Sequence, residues 1–360
     1  MALLYFILIL SLVVFVHELG HLIVAKSFGV YCSEFAVGFG PKLFSYQGKE
    51  TTYSLRAIPF GGFVAMAGEP NQSENFPEVA FERTIKGITP IKRILVMLAG
   101  IFMNLFLALV LFIGIFSITQ TKVVLPKPII AEVRENSPAD LVGLKANDLI
   151  IKVKYHDGTT FSPATFNELV EKVAADPSAP VTYYIERAGS KLEFEVTPAL
   201  DEASGRYLIG ITALPPELVP LNFFTIITTG ISETLLMIKL VALALINLFK
   251  GVGLNQLSGP LGIMQTTGEV MGQAAGIKET ILLFFSLTAS ISINVALFNL
   301  LPIPAFDGGR VILTVAEIIK KGPLDKKWEE RLILGSFFLM LMLFVFITWQ
   351  DIIKIFFGGK

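Results

Sequence analysis

Two histidines and a glutamate lie close together near the start of the chain, in His17-Glu18-Leu19-Gly20-His21. Residues four apart share one face of a helix, so the imidazoles of His17 and His21 can bind the same zinc ion. Glu18 can then act as general base toward a water at the metal, which is the chemistry of metal-dependent peptide hydrolysis. The alternative is a chance match in which both histidines make only core hydrogen bonds.

The same segment lies inside an apolar run that begins at Met1. Ionisable groups are costly in bilayer hydrocarbon and persist mainly where they have a function. The run has no charged N-terminal region and no small-residue cleavage site, so we interpret it as a retained membrane span and not as a removed signal peptide. Together these features predict peptide hydrolysis within the membrane.

A second candidate group lies near the C-terminus, in Asn299-Leu300-Leu301-Pro302-Ile303-Pro304-Ala305-Phe306-Asp307-Gly308-Gly309. A catalytic zinc site has three protein ligands and one open position. The single cysteine, Cys32, excludes a disulfide within the chain and a thiolate cluster, so a carboxylate is expected as third ligand. Asp307 follows two helix-breaking prolines at a predicted membrane boundary, and we predict that it is that ligand. An ordinary aspartate at a helix exit is the alternative.

The composition indicates an integral membrane protein. Hydrophobic residues make up 53% of the 360 residues and charged residues only 16%, with a mean hydropathy of +0.67. Net charge is −1, and no basic stretch interleaves with aromatics, so no nucleic-acid partner is expected. Four transmembrane helices are predicted near residues 2–25, 94–118, 280–301 and 332–349.

A further apolar stretch, at about 223–249, carries Glu233 and Lys239 among its apolar positions. This pattern favours an amphipathic helix lying in the membrane interface, within a region of 221–279 that also holds a Gly-Pro loop. The loops 26–93 and 308–331 are rich in Lys and Arg and are predicted to be cytoplasmic. A crossing by 223–249 would place these two loops on opposite sides, so the charge pattern also favours the interfacial position.

The regions between the spans differ in character. Residues of about 30–68 are rich in glycine and in β-type residues, which predicts a membrane-associated β-loop whose edge could pair with an extended substrate. An ordinary loop is the alternative. Residues 119–220 have the charge and the alternating strands of a soluble α+β domain.

One passage of this soluble segment, running from Asn136 to Ile150, resembles the SPAxxAGLxxGDxI stretch of PDZ domains, with Val142 and Asn147 as departures. Asn147 tolerates positive φ, so the turn can survive. PDZ domains bind extended peptides or C-termini at a sheet edge. A spacer that binds nothing is the alternative.

Taken in order, five features resemble the site-2 protease family of intramembrane zinc metalloproteases (family M50), and within it the bacterial regulator of sigma-E protease type with a single PDZ domain. These features are HELGH, the glycine-rich β-loop, the PDZ-like insert, Ser258-Gly259-Pro260-Leu261-Gly262-Ile263, and the NxxPxPxxDGG end of the third span. The resemblance implies one zinc per chain, bound by His17, His21 and Asp307, with Glu18 as the catalytic base. Substrate-binding candidates are Asn299, Pro302, Gly61, Gly62 and Asn104; Ile101, near Asn104, stands where the family has proline.

The resemblance also implies a multi-pass protein of the bacterial cytoplasmic (inner) membrane, with its active site near the cytoplasmic side and the PDZ domain outside the cytoplasm. Substrates would be transmembrane segments of single-span proteins, such as anti-sigma factors or signal-peptide remnants, after a prior ectodomain cut. The other expected partners are the lipid bilayer and an extended peptide or C-terminus at the PDZ domain. The alternative function is a membrane-anchored PDZ scaffold with a non-catalytic metal site. No internal repeat supports a transporter.

Overall fold

The computed structural model describes residues 1–69, 79–173, 179–201, 206–253 and 258–357. The chain forms two compact units, one made of Met1–Thr119 with Asn222–Lys360 and the other of Gln120–Leu221. Elements are numbered in chain order. The first unit contains α1 (Ala2–Ser27), β1 (Cys32–Gln47), β2 (Thr52–Met66), α2 (Pro90–Thr119), α5 (Phe223–Phe249), α6 (Pro260–Gly272), α7 (Ile277–Asn299), α8 (Asp307–Lys320) and α9 (Lys326–Phe357).

Strands β1 and β2 form an antiparallel hairpin directly after α1. The base of the hairpin packs against the helices, because Phe35, Val64 and Met66 share one buried cluster with Leu22 of α1 and Val96 of α2. Cys32 lies in the same cluster and is fully buried, and burial raises the pKa of its thiol to about 12. Cys32 therefore packs as a small apolar residue at the base of the hairpin.

Within the described residues, five helices are long and apolar enough to cross a membrane, namely α1, α2, α5, α7 and α9. This is one more than the four predicted. The additional candidate is α5, a continuous 27-residue helix whose Met237, Ile238 and Val241 pack on the cluster formed by α2 and α7. Ser232 and Thr234 donate to the carbonyls of Thr228 and Gly230 within the helix itself. The predicted interfacial position of this segment thus stands against a fifth candidate span, identified by length and composition.

Helices α5 and α7 both run antiparallel to α2. Gly230 of α5 lies against Ile113; in α7, Phe285 lies near Gly114 and the Ser292 hydroxyl donates to Asn104 O at 2.8 Å. Helix α6 lies beside Ala2 of α1.

The two basic loops lie at one end of the helices. Lys86, before α2, pairs with Glu329 of α9 at 3.0 Å, and Arg93 of α2 pairs with Glu317 of α8 at 2.7 Å. The two loops therefore lie on one side of the helices.

The second unit is built mainly of strands: β3 (Thr121–Val124), β4 (Ile130–Val133), α3 (Pro138–Leu141), β5 (Leu149–Tyr155), β6 (Thr160–Phe161), α4 (Phe166–Val173), β7 (Val181–Arg187), β8 (Ser190–Val196), β9 (Ala199–Asp201), β10 (Arg206–Leu208), β11 (Ile211–Ala213) and β12 (Glu217–Pro220). Its largest sheet has the order β6-β5-β7-β8. Buried Asp148 accepts from Arg187 Nε and Nη2 at 2.6 and 2.7 Å. Asn147, expected to tolerate a left-handed turn, has a φ of 71°.

The path of α5 can be tested by cysteine labelling of intact membranes from each side. We expect Lys250→Cys, after α5, to react from the same side as Lys327→Cys, whereas Gln273→Cys, after α6, reacts from the opposite side. The natural chain provides the background, because Cys32 is fully buried. Labelling of Lys250→Cys and Gln273→Cys from one common side would contradict a crossing α5.

Candidate metal centre

Helices α1 and α2 approach each other closely where the HExxH segment lies. At Gly20, an added Cβ would lie 2.5 Å from the Ala99 carbonyl oxygen. At Gly100, a Cβ would lie 2.5 Å from His21 Nε2 and 2.7 Å from His17 Cε1. The absence of a side chain at these two positions therefore allows the backbone of α2 to lie directly against the two imidazoles.

The side chains of His17, His21 and Asp307 converge on one point. The distance from Asp307 Oδ2 is 3.1 Å to His17 Nε2 and 3.3 Å to His21 Nε2, and the two Nε2 atoms are 3.2 Å apart. Ligand atoms around a tetrahedral zinc, with bonds of about 2.0–2.1 Å, are about 3.3 Å apart. Asp307 Oδ2 is also buried with no hydrogen-bond donor satisfying it. The spacing and the unsatisfied oxygen fit a bound zinc ion.

Asp307 reaches this point because the chain reverses sharply between α7 and α8. Asp307 is the first residue of α8, and the next two residues are packed against the turn. A Cβ at Gly308 would lie 2.2 Å from the Leu300 carbonyl oxygen, and one at Gly309 would lie 2.1 Å from the Ile303 carbonyl oxygen.

Each imidazole has a partner on the side away from Asp307. His21 Nδ1 lies 2.8 Å from the Val96 carbonyl oxygen and donates to it, which leaves Nε2 free to accept a cation. His17 Nδ1 lies 3.2 Å from the Asn104 amide nitrogen, and Asn104 Oδ1 is buried without a partner. Turning the amide by 180° lets Oδ1 accept the N–H of His17 Nδ1, which satisfies both groups.

A polar cavity of about 300 Å³ opens beside the three converging atoms. Besides these three residues it is lined by Glu18, Gly62, Asn299, Glu69 and Arg310, among others. An added Cβ at Gly62 would lie 3.3 Å from Glu18 Cγ, so the hairpin passes directly beside the predicted base. The structure thus brings together His17, Glu18, His21, Asp307, Gly62 and Asn299.

Three predicted substrate-binding residues do not line this cavity. Asn104 is fully buried behind His17, so the prediction that it contacts substrate is corrected to a contact with an imidazole. Gly61, with a φ of 86°, lies against the ring of Phe39. Pro302 is exposed outside the cavity.

The sequence interpretation missed three residues of the site, Gly100, Glu69 and Arg310. Gly100 lies within Ala99-Gly100-Ile101-Phe102-Met103-Asn104. A glycine inside an apolar helix indicates a close approach of another element, and this pattern could have been recognised. Arg310 follows Asp307 by three residues on α8, a spacing that places both on one helix face. Nothing in the sequence around Glu69 indicated that its side chain would line the cavity.

Comparison with known proteins identifies the family. The sequence profile described as peptidase family M50 matches residues 5–343. The chain belongs to the M50 peptidase family. A Clostridium perfringens relative, provisionally named a zinc metalloprotease, is 37% identical to this M50 peptidase over 361 residues, covering 98% of this chain and 99% of the relative.

Two further relatives extend the comparison. The zinc metalloprotease RasP of Geobacillus kaustophilus is 32% identical over 427 residues, covering 98% of this chain and 97% of that protein. The regulator of sigma-W protease RasP of Bacillus subtilis is 29% identical over 430 residues, covering 98% of each chain. This M50 peptidase is therefore a zinc metalloprotease, and its long apolar helices make it a multi-pass membrane protein.

The close approach at Gly100 can be tested by measuring zinc affinity. We expect Gly100→Ala to weaken zinc binding about 10- to 100-fold, because overpacking costs about 1–3 kcal/mol and here displaces both imidazoles. Gly114→Ala on the same helix is the matched control, since its Cβ would meet only the ring of Phe285, at 3.3 Å. Equal zinc affinities of the two variants in chelator competition would contradict this role of Gly100.

The contact between Asn104 and His17 gives a second test. Asn104→Leu removes the acceptor for His17 Nδ1–H and is expected to weaken zinc binding about 10- to 100-fold, whereas Asn104→Asp retains an acceptor oxygen and much of the affinity. The control is Asn294→Leu, because the Asn294 amide donates only to Ser290 O of its own helix. Unchanged zinc affinity in Asn104→Leu would show that the contact does not orient His17.

Proposed function

We propose that this metalloprotease cleaves transmembrane segments of single-span membrane proteins, with zinc held by His17, His21 and Asp307. One observation carries the proposal: the three ligand atoms lie within 3.3 Å of one another, and Glu18 lines the same polar cavity. The helix that supplies both histidines and Glu18, α1, is one of the five that could cross a membrane. A peptide bond can therefore be cleaved within an otherwise apolar helical bundle.

The chemistry follows from where the side chains point. A bound zinc ion supplies a Lewis acid that polarises the scissile carbonyl and acidifies the attacking water. Glu18 takes a proton from that water as the water oxygen bonds to the carbonyl carbon, and the C=O electron pair moves to oxygen. When this pair returns, the C–N bond breaks and Glu18 delivers the proton to the leaving amine. The Val96 carbonyl and the Asn104 amide hold the two imidazoles in orientation throughout.

The hairpin is the element best placed to present substrate. A transmembrane helix has its carbonyls engaged in its own hydrogen bonds, so it must unwind locally before cleavage. Residues Gly62, Phe63 and Val64 of β2 line the cavity, and an unwound segment can pair with this strand by β-augmentation. Asn299, which also lines the cavity, is proposed to contact the same extended segment.

The remaining organisation is proposed from the sequence and the relatives. The unit Gln120–Leu221 is proposed to be a single PDZ domain outside the cytoplasm, which excludes bulky ectodomains until another protease has trimmed them. The basic end of the helical bundle is proposed to be cytoplasmic, with the active site near it. One relative is named a regulator of sigma-W protease, which supports anti-sigma factors as a substrate class, alongside signal-peptide remnants.

The scaffold alternative is less well supported. A scaffold with a non-catalytic site would be consistent with the loss of a ligand or of the base. The base Glu18 and the three proposed ligands His17, His21 and Asp307 are all present, and the three ligand atoms converge. The relatives that cover nearly the whole chain are named as zinc metalloproteases.

The decisive test compares the natural chain with Glu18→Gln in proteoliposomes containing an ectodomain-trimmed, single-span substrate. We expect zinc-dependent cleavage by the natural chain and a loss of about 10²- to 10⁴-fold in the variant, with zinc content unchanged, because only the proton acceptor is removed. Glu233→Gln is the control, since it alters a glutamate within another apolar helix, α5. Retained cleavage by Glu18→Gln would reject Glu18 as the base.

A further inference from the structure

Arg310 is the one cationic side chain among the described residues that line the cavity beside the converging histidines. It lies one helical turn after Asp307 at the start of α8. The charged side chains in the lining are this guanidinium and the carboxylates of Glu18, Glu69 and Asp307, which give a formal charge of −2 when the imidazoles are neutral. One divalent zinc ion balances that charge in the resting site.

The guanidinium of Arg310 is anchored by one hydrogen bond, and its other N–H groups remain available as donors. Arg310 Nη1 donates to Glu69 Oε1 at 2.8 Å, and Glu69 is its one side-chain partner within the described parts of the chain. A guanidinium has five N–H groups in a rigid planar fork. The side chain of Arg310 is 37% exposed whereas that of Glu69 is 10% exposed. Glu69 therefore anchors the group while its remaining N–H groups are accessible to a ligand.

Peptide hydrolysis creates negative charge at a defined place in this cavity. When water adds to the scissile carbonyl, an electron pair moves onto the carbonyl oxygen, and a positioned hydrogen-bond donor stabilises that charge. The imidazoles are engaged as proposed ligands and Glu18 is the proposed base. Asn299 also lines the cavity, but its amide is uncharged and already donates to Val295 O at 3.0 Å, whereas a hydrogen bond from a charged guanidinium is the stronger one.

We propose that Arg310 donates a hydrogen bond to the carbonyl oxygen of the scissile peptide bond and stabilises the charge that develops on it. This inference rests on the proposed function. Glu69 is a positioning residue that holds the guanidinium at the cavity wall. The bonds made and broken are those of the hydrolysis described above, and Arg310 itself gains and loses no proton.

A neighbouring ion pair provides a matched control. Arg93 Nη1 donates to Glu317 at 2.7 Å at the same end of the bundle, and both side chains are mostly buried. Arg93 does not line the cavity beside the histidines. Arg93→Gln therefore removes an arginine and an ion pair of the same kind without altering that cavity.

The test measures kcat, KM and zinc content separately for the natural chain, Arg310→Gln, Arg310→Lys, Glu69→Gln and Arg93→Gln in proteoliposomes. We expect Arg310→Gln to lose about 10²- to 10³-fold in kcat with little change in KM or zinc. Arg310→Lys should recover part of this loss, and it also tests the proposal if Arg310→Gln fails to fold. We expect Glu69→Gln to be affected less than Arg310→Gln, and Arg93→Gln to match the natural chain.

Inhibitor binding gives a readout independent of turnover. A phosphinic peptide carries a negatively charged tetrahedral oxygen where the developing oxyanion would lie, whereas a small hydroxamate needs only the metal. Arg310→Gln is expected to weaken binding of the phosphinic peptide about as much as it lowers kcat/KM, and to leave hydroxamate binding unchanged.

Three results would overturn the proposal. Arg310→Gln with natural kcat would show that no charge is stabilised there. Loss of zinc, or equal weakening of both inhibitors, would make Arg310 a support for Asp307 instead. Zinc-loaded natural chain that cleaves no substrate would overturn the proposed function together with this inference, whereas cleavage by the natural chain with an unaffected Arg310→Gln would overturn this inference alone.

Discussion

The close contact between α1 and α2 is the constraint on which the rest of the structure depends. Gly20 and Gly100 remove the side chains that would separate the two helices at the level of the imidazoles. The backbone of α2 then provides an acceptor for His21 at Val96, and its Asn104 side chain provides one for His17. Buried polar groups are tolerated only when each has a partner. The contact therefore supplies both the space for the histidines and the groups that orient them.

Asp307, the proposed third ligand, belongs to a distant part of the chain, and polar contacts join that part to its neighbours at both ends of the bundle. At one end, ion pairs join Glu69 to Arg310, Arg93 to Glu317 and Lys86 to Glu329. At the other end, buried Asp351 of α9 accepts from the backbone N–H groups of Gly259 and Gly262. The cost of removing these partly buried charges from water offsets much of their attraction, so their main effect here is to define which helices are neighbours.

Local patterns were sufficient to predict the chemistry. The spacing of His17 and His21 and the position of Asp307 between prolines and glycines could be recognised without any contact information. Local patterns alone do not fix the course of α5, because its length and apolar composition favour a span whereas Glu233 and Lys239 favour the membrane interface. The sequence also did not show that Asn104 contacts an imidazole, because its complete burial depends on how α2 packs against α1. Glu69 joins the site only through the fold of the hairpin.

The distribution of the proposed ligands along the chain has a consequence for biosynthesis. Chains emerge from the ribosome with the N-terminus first, and early segments settle before later ones exist. His17, Glu18 and His21 are therefore inserted into the membrane with two ligands and a base, while Asp307 and Arg310 have still to be translated. A nascent chain, or one truncated before Asp307, lacks the carboxylate proposed to complete the metal site. On this ligand assignment, the order of the sequence keeps a partly made chain inactive in the membrane until Asp307 has been translated.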